Sequence, residues 1–365
     1  MKKKIAIIGA KGLPGIDGIS CVVENYIKYL TDIFDFTIFC SEEYTDRKSG
    51  KYDGYEEIVL KKIKNIRLNT LWYYIKSTWI ILFTKHFDLI HFHHCDSAFL
   101  FPIIRIKYGK RLVVTTHGAF TKINDKWKNY KIYFIIQYHF FLRFSPYITS
   151  VSKNEQLKTK LFLKRDSKFI SNGINIKVKV SDENVGNNYI FFSAGRIIEI
   201  KCLDVLLKAL HQIDYKGLVK VAGDISKSSE KYKRTINELS KNLNIEFLGM
   251  IKEKSLLYKY LKSAILFIFP SNAETMSIQL LEAVSLKVPI IASDIVENTD
   301  LLEPDEVLFF KTDDSINLAQ KILFALSNIE ELKLRAEKAY KKLESKYTWE
   351  IIAESYCQVY YDILK

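Results

Sequence analysis

Residues 269–282 read Phe269-Pro-Ser-Asn-Ala-Glu274-Thr-Met-Ser-Ile-Gln-Leu-Leu-Glu282. The apolar run 266–269 predicts a buried strand, and the loop after it carries Glu274. A helix is expected to start near residues 275–278. Glu282 then lies one to two turns along it, at about 1.5 Å per residue. The unpaired N–H groups of a helix start make an anion site. Two carboxylates thus flank a phosphate-binding turn. That order suits a ligand with hydroxyls, then a diphosphate, then hydroxyls, as in a nucleotide sugar. The spacing alone also suits two solvated helix glutamates.

Upstream, residues 191–201 read FFSAGRIIEIK. A buried strand runs into Gly195-Arg196, with Lys201 five residues on. A guanidinium fork and a compact ammonium after one strand end can meet one phosphate group. The bland alternative is a surface Arg–Lys pair. Around these stretches, strands are predicted at 189–194, 218–222, 246–248, 266–269 and 289–292, each followed by a helix-like stretch. Residues 178–188 (VKVSDENVGNN) are polar and pattern-poor, and read as a linker.

The N-terminal half repeats the plan. Strands are predicted at 4–8, 36–40, 89–92, 112–116 and 147–151, with helical patterns between most of them. Strands alternating with helices imply a parallel, doubly wound sheet. The chain therefore reads as two α/β domains. Ligands of such sheets bind outside the carboxyl ends of the strands. Those ends hold the glycine-rich turn Gly9 to Gly18, including Gly15 and Asp17, and also His117-Gly118 after residues 112–116. The turn lets a ligand approach backbone closely, but it is not a G-x-G-x-x-G loop. His117 alone suits a hydrogen-bonded loop histidine equally well.

The chain has 365 residues, 48% of them hydrophobic and 27% charged, with a net charge of +13. It is too apolar for disorder. Five single cysteines with no C-x-x-C exclude a disulfide scaffold and a cysteine zinc site. The Met1-Lys-Lys-Lys opening is followed by too short an apolar run for a signal peptide. Residues 71–84 (LWYYIKSTWIILFT) contain Lys76 and are too short to span a bilayer. A cytoplasmic location is expected. The lysines are spread along the chain without a nucleic-acid-binding motif, so no nucleic-acid partner is expected.

Taken in order, these stretches resemble the family 4 glycosyltransferases, retaining enzymes of the GT-B fold, over nearly the whole chain. Gly9 to Gly18 is similar to the family's first glycine-rich loop. His117-Gly118 is similar to its "HG", Ser152 to its "vS" serine, and Ile170-Ser-Asn172-Gly173-Ile174 to its hinge motif. Gly195-Arg196 to Lys201 resembles "GRl…KG", Val221-Ala-Gly223-Asp224 resembles "vGdG", and Phe247-Leu-Gly249 resembles "FlG". Glu274 to Glu282 resembles its E-x7-E. Residues 293–298 resemble the bacterial surface-polysaccharide members.

The resemblance implies two Rossmann-like parallel-sheet domains facing across a cleft. The domain boundaries are then 1–172 on the acceptor side, a hinge at 173–188, and a donor-binding domain at 189–345. A helix at 346–365 would pack back on the first domain. It implies transfer of a sugar from a nucleotide-diphosphate sugar with retention, without cofactor or metal. Arg196 and Lys201 would neutralise the departing diphosphate. Glu274 would hold the sugar, Glu282 the ribose, and His117 would sit by the transferred sugar. Gly15, Gly18, Thr275, Met276 and Ser277 would complete the donor site, with His93 and Asp17 on the acceptor side. The family's paired glycines read Asp17-Gly18 here, its E-G-F-G reads Glu274-Thr-Met-Ser277, and the glycine after its lysine is Cys202.

His91-Phe-His93 places two imidazoles on one strand face, a pattern that also suits a metal. A nucleotide-sugar 2-epimerase and a non-catalytic donor-binding relative remain alternatives. A carboxylate-pair hydrolase is disfavoured, because two cations and a helix start share the site. Residues 126–143 (KWKNYKIYFIIQYHFFLR) carry Lys126, Lys128, Lys131 and Arg143 among seven aromatics, besides His139. Together with 71–85, they suit an anionic membrane surface and a lipid-linked saccharide acceptor on the inner face of the cytoplasmic membrane. Either stretch also suits a core helix with snorkelling lysines.

Overall fold

The apolar runs that lack alternation become strands covered on both faces, as parallel sheets require. The computed structural model describes residues 1–15, 18–65, 68–118 and 131–365, with Lys131 and Phe134 described by backbone only. One sheet holds β1 (Lys3–Ile8), β2 (Phe34–Ser41), β3 (Gly50–Tyr52), β4 (Tyr55–Leu60), β5 (Leu89–His93), β6 (Leu112–Thr116), β7 (Tyr147–Ser150) and β8 (Lys168–Phe169). Their order is β3-β4-β2-β1-β5-β6-β7-β8. The other holds β9 (Tyr189–Arg196), β10 (Leu218–Asp224), β11 (Ile245–Gly249), β12 (Leu266–Phe269), β13 (Ile290–Ser293) and β14 (Leu308–Phe310), in the order β11-β10-β9-β12-β13-β14.

Among the described residues all strand pairings are parallel except one. The first sheet gains the antiparallel pair β3–β4, with Tyr52 opposite Tyr55. The sequence reading contained no such hairpin. Its turn is Asp53-Gly54, both at positive φ (44° and 86°), the backbone of a tight hairpin turn. The short strands β8 and β14 were also unpredicted.

Apart from the β3–β4 hairpin, the strand order of each sheet reverses once. It does so between β1 and β5 in the first sheet and between β9 and β12 in the second. Such a reversal opens a crevice at the strands' carboxyl ends, because the connections diverge to opposite faces. In the first sheet that edge carries Gly9, His93 and, one strand over, His117. In the second it carries Arg196 and the loop before Glu274. Gly9 is held at φ +111°, and a Cβ there would lie 1.9 Å from the His93 carbonyl oxygen. Only glycine fits where β1 and β5 end side by side.

The chain forms two compact units, Met1–Gly173 with Trp349–Lys365, and Ile174–Thr348. The C-terminal helix Trp349–Leu364 belongs to the first unit and lies against helix Gly18–Lys28, where Tyr356 stacks on Tyr26 at 4.4 Å. In the second unit the Ile174 N–H donates to the Tyr347 carbonyl at 2.8 Å. Residues 178–188 are fastened to this same unit. The Ser181 N–H donates to the Ser255 carbonyl, and Lys220 Nζ donates to the Val185 carbonyl.

Candidate active site

The second unit places its charged residues on two loops and one helix start. β9 ends at Gly195 and Arg196, both exposed, and a short 3-10 turn, Glu199–Lys201, follows. The loop after β12 is tied to it, since the Asn272 N–H donates to the Ile200 carbonyl at 3.0 Å. Across this tie Lys201 Nζ meets Glu274 Oε1 at 2.5 Å, with both side chains mostly buried. Two residues 73 positions apart are thus one ion pair at the strand-order reversal. Arg196 sits at the rim with its fork in solvent.

The helix expected near 275–278 runs from Ile278 to Ser285. Ser277 is its N-cap, and the Ser277 hydroxyl accepts from the Leu280 N–H at 3.3 Å. An N-cap serine satisfies one first-turn donor and leaves the remaining N–H groups and the helix's positive end toward the loop. Thr275 and Met276 are half-buried in that loop. Gln279 Nε2 donates to Ser193 Oγ at 3.3 Å, fixing the helix start against β9.

Glu282 is 1% exposed. Its Oε1 accepts from Lys254 Nζ and from the Tyr258 hydroxyl, while its Oε2 is buried with no partner among the described residues. A buried carboxylate oxygen without a donor is costly, so this is a position that calls for a ligand hydroxyl. Sequence reasoning missed Lys254 and Tyr258. The one available signal is their i, i+4 spacing on helix Lys254–Ser263.

The first unit gathers imidazoles instead of charges. His93 Nδ1 lies 3.1 Å from His117 Nε2, and its own Nε2 lies 3.1 Å from the Tyr26 hydroxyl. His91 joins the Tyr360 hydroxyl at 2.8 Å and Thr115 Oγ1 at 2.7 Å. His91 and His93 do share a strand face, with rings 4.2 Å apart. Their four ring nitrogens are engaged by Tyr, Thr and His117. His93, expected on the acceptor side, is fully enclosed, so it reaches a ligand only through His117. Burial, then the neighbouring imidazole, hold His91 down to about 3 and push His93 and His117 well below the ordinary histidine range. All three are neutral at physiological pH.

Beside them, the Gly118 N–H donates to Glu155 Oε1 at 2.6 Å, and Ser152 caps helix Lys153–Leu163 by accepting from the Glu155 N–H. The "vS" serine is therefore a helix cap whose helix presents Glu155 to the HG turn. The N–H of Gly15, a residue expected in the donor site, donates to Glu24 Oε2 at 2.7 Å. Gly18 opens helix Gly18–Lys28 with no neighbouring atom within 4 Å of a Cβ position. Asp17 lies outside the described residues, as do Lys126 and Lys128. The second part of the 126–143 stretch forms helix Lys131–His139 and leaves Ile132, Ile135, Ile136 and Phe140 exposed. Among the described residues no helix is long and apolar enough to cross a membrane.

Two parallel sheets of this order, each with polar residues at its reversal, have the architecture of the GT-B fold. The comparisons agree. The family "Glycosyltransferase Family 4" matches residues 16–178, and "Glycosyl transferases group 1" matches residues 176–342. The chain belongs to the group 1/family 4 glycosyltransferases. The capsular polysaccharide biosynthesis glycosyltransferase CapH of Staphylococcus aureus is 25% identical over 234 residues, 60% of this chain and 63% of its own length. The chain spans just under two thirds of the curated relatives it matches, at 64% and 63%. Sucrose-phosphate synthase from Thermosynechococcus elongatus superposes with a TM-score of 0.84 at 18% identity, over 99% of each chain. Anabaena HepE in complex with UDP-glucose gives 0.77 at 16% identity, over 98% of this chain and 99% of that one. At these identities both structural likenesses speak for the fold.

Proposed function

We propose that the chain transfers a sugar, with retained configuration, from a nucleotide-diphosphate sugar to a lipid-linked saccharide during synthesis of a bacterial surface polysaccharide such as capsule or O-antigen. One observation carries the donor half of this reading. The Lys201–Glu274 ion pair and the half-partnered Glu282 flank one helix start at the reversal of the second sheet. Arg196 and Lys201 neutralise the leaving diphosphate, with the N–H groups near Ser277 as further donors. Glu274 aims Lys201 and takes a sugar hydroxyl. Glu282 takes the ribose with its open oxygen. His117 donates to the transferred sugar from the first unit. The bond from the anomeric carbon to the diphosphate oxygen breaks while a bond to the acceptor oxygen forms on the same face. The acceptor's proton leaves on the diphosphate. Two cations and a helix end supply the charge stabilisation that a divalent ion supplies elsewhere.

The relatives support the substrate classes: HepE was solved with UDP-glucose, and CapH is named for capsular polysaccharide. The acceptor half rests on surface chemistry. Helix Asn69–Phe83 exposes Trp72, Ile75, Trp79 and Phe83, and helix Phe101–Tyr108 exposes Ile103 and Ile106. The two are tied by the Tyr108 hydroxyl, which donates to the Ile81 carbonyl. Residues 61–87 carry six Lys or Arg and residues 97–124 carry five, with no Asp or Glu in either stretch. Exposed apolar side chains on stretches of chain rich in Lys and Arg suit an anionic leaflet. The protein then works peripherally on the inner face of the cytoplasmic membrane.

The test is a panel of UDP, GDP, dTDP and ADP sugars, read by thermal shift and by nucleoside diphosphate release with a polyprenyl-linked saccharide. One donor class should stabilise the protein, by about 2.7 kcal/mol at a hundredfold excess over Kd, and should turn over. No stabilisation by any nucleotide sugar would overturn the reading.

A further inference from the structure

The second unit holds another ion pair of the same composition as Lys201–Glu274. Lys254 Nζ donates to Glu282 Oε1, which also accepts from the Tyr258 hydroxyl at 3.3 Å. Lys254 opens helix Lys254–Ser263, shortly after β11 ends at Gly249. Glu282 lies in the second turn of helix Ile278–Ser285. The loops after β9 and β11 therefore each bring a lysine to a glutamate on the segment that follows β12.

The two members of the Lys254–Glu282 pair are unequally exposed. The Glu282 side chain is 1% exposed and that of Lys254 is 53% exposed, so a ligand meets the ammonium first. Among the described residues this ammonium makes no hydrogen bond except to Glu282, which leaves spare N–H donors toward solvent. It also lies 5.8 Å from the centre of the Tyr258 ring, a second hold on the cation. On the carboxylate, Oε1 already accepts from Lys254 and Tyr258, while Oε2 has no partner. A pair that only tied two helices together would satisfy both oxygens, because a buried polar atom without a partner is costly. Spare donors beside a spare acceptor are what a hydroxyl needs, since it donates one proton and accepts at its oxygen. A phosphate would face the charge of Glu282, and an apolar group would leave donor and acceptor both unpaired.

We infer that Lys254 is a donor-binding residue: its ammonium and Glu282 Oε2 together hold one ribose hydroxyl of the nucleotide sugar. A shift of the half-exposed lysine opens Oε2 to that hydroxyl, while Tyr258 keeps Glu282 in place. The site then uses one device twice, Lys201–Glu274 before the helix and Lys254–Glu282 on it. The inference rests on the donor reading proposed above.

The experiment is a calorimetric titration of the full-length protein with UDP, GDP and ADP, each in its ribose, 2′-deoxy and 3′-deoxy forms. For the nucleotide that binds, one deoxy form should bind about 10- to 100-fold more weakly than the ribose form, the scale of a hydrogen bond to a charged group. Lys254→Met should weaken the ribose form by about 3- to 10-fold. It should also shrink the ribose-to-deoxy ratio by a similar factor, because side chain and hydroxyl are then coupled partners. An unchanged ratio in Lys254→Met would overturn the inference and leave the lysine a structural counter-ion, its loss read only as lower thermal stability. In the wild type, the bound nucleotide should protect Lys254 from amine acylation, read by mass spectrometry. If Lys254→Met does not fold, that measurement decides, and an acylation rate unchanged by the nucleotide overturns the inference. If none of the nucleotides binds, the donor reading fails and this inference falls with it. If one binds without the coupling, the inference fails alone.

Discussion

The polar residues of the two sheet edges solve opposite problems. In the second unit they are ionic: Arg196 exposed at the end of β9, Lys201 and Glu274 paired and mostly buried, and buried Glu282 on a helix with one oxygen unpartnered. In the first they are neutral imidazoles and hydroxyls carried largely on strands and long helices, and all but His117 are buried. Under the proposed function the exposed Arg196 stays screened by water until a diphosphate replaces that water, while Lys201 is held by Glu274. A site that must orient an uncharged sugar has no charge to offer. It relies on hydrogen bonds among buried imidazoles and hydroxyls. The two edges therefore respond to different perturbations: charge removal in one, hydroxyl removal in the other.

The largest expected effect comes from removing charge. Arg196→Ala and Lys201→Ala should each lower transfer by about 100-fold or more, the scale of losing a donor aimed at developing charge. Thermal stability should change little for Arg196→Ala, whose side chain is exposed. Wild-type turnover in either purified variant would break the assignment of the second unit as the ionic half.

Next is Glu282→Gln. A hydrogen bond to a charged group contributes about 1.5–3 kcal/mol, so donor KM should rise about 10- to 100-fold, with kcat affected less. A kcat loss at unchanged KM would move Glu282 from binding to chemistry and blur the contrast.

A smaller effect is expected at the membrane. Co-sedimentation with liposomes should rise with anionic lipid and fall at high salt. It should weaken several-fold when Trp79 and Phe83 become Ser, or when Lys126, Lys128 and Lys131 become Glu, an order-of-magnitude expectation from lost apolar burial and lost charge. Equal recovery in the supernatant with neutral and anionic vesicles at low salt would show that the exposed apolar helices are structural only.

The mildest perturbation is pH. His91, His93 and His117 are held neutral below their ordinary pKa in the folded protein. Below about pH 6.5 the unfolded chain takes up protons the folded chain refuses, so stability falls with pH. Each histidine costs up to about 1.4 kcal/mol per pH unit. His94, whose pKa Asp96 helps to raise, opposes this in part. Urea midpoints should therefore drop between pH 7 and pH 5, before the carboxylates titrate. A flat profile would mean that the imidazole line is not neutral and buried in solution.

Local signals were legible in the sequence, and distant pairings were not. The apolar runs located β1, β5, β6, β9 and β12 within one or two residues, because burial on both faces leaves no other pattern. The 269–282 stretch gave its strand end, its loop and its helix start, because capping chemistry is local. The β3–β4 hairpin was overlooked because its strands are short and rich in Lys, Glu and Tyr, although Asp53-Gly54 marks the turn. The Lys201–Glu274 pair joins two loops through the sheet order, and Tyr360–His91 spans 269 positions through a helix that returns to the first unit. No periodicity encodes either. Glu24, which the sequence reading did not single out, accepts from the Gly15 N–H in the glycine-rich turn.

The most direct measurement is the stereochemistry of transfer. The purified protein, its preferred nucleotide sugar and a lipid-linked saccharide would be incubated in excess EDTA, and the new anomeric centre read by 1H NMR. The account predicts product of the same anomeric configuration as the donor, at a rate that EDTA leaves unchanged. An inverted product, or transfer abolished by EDTA and restored by Mg²⁺ or Mn²⁺, would contradict it.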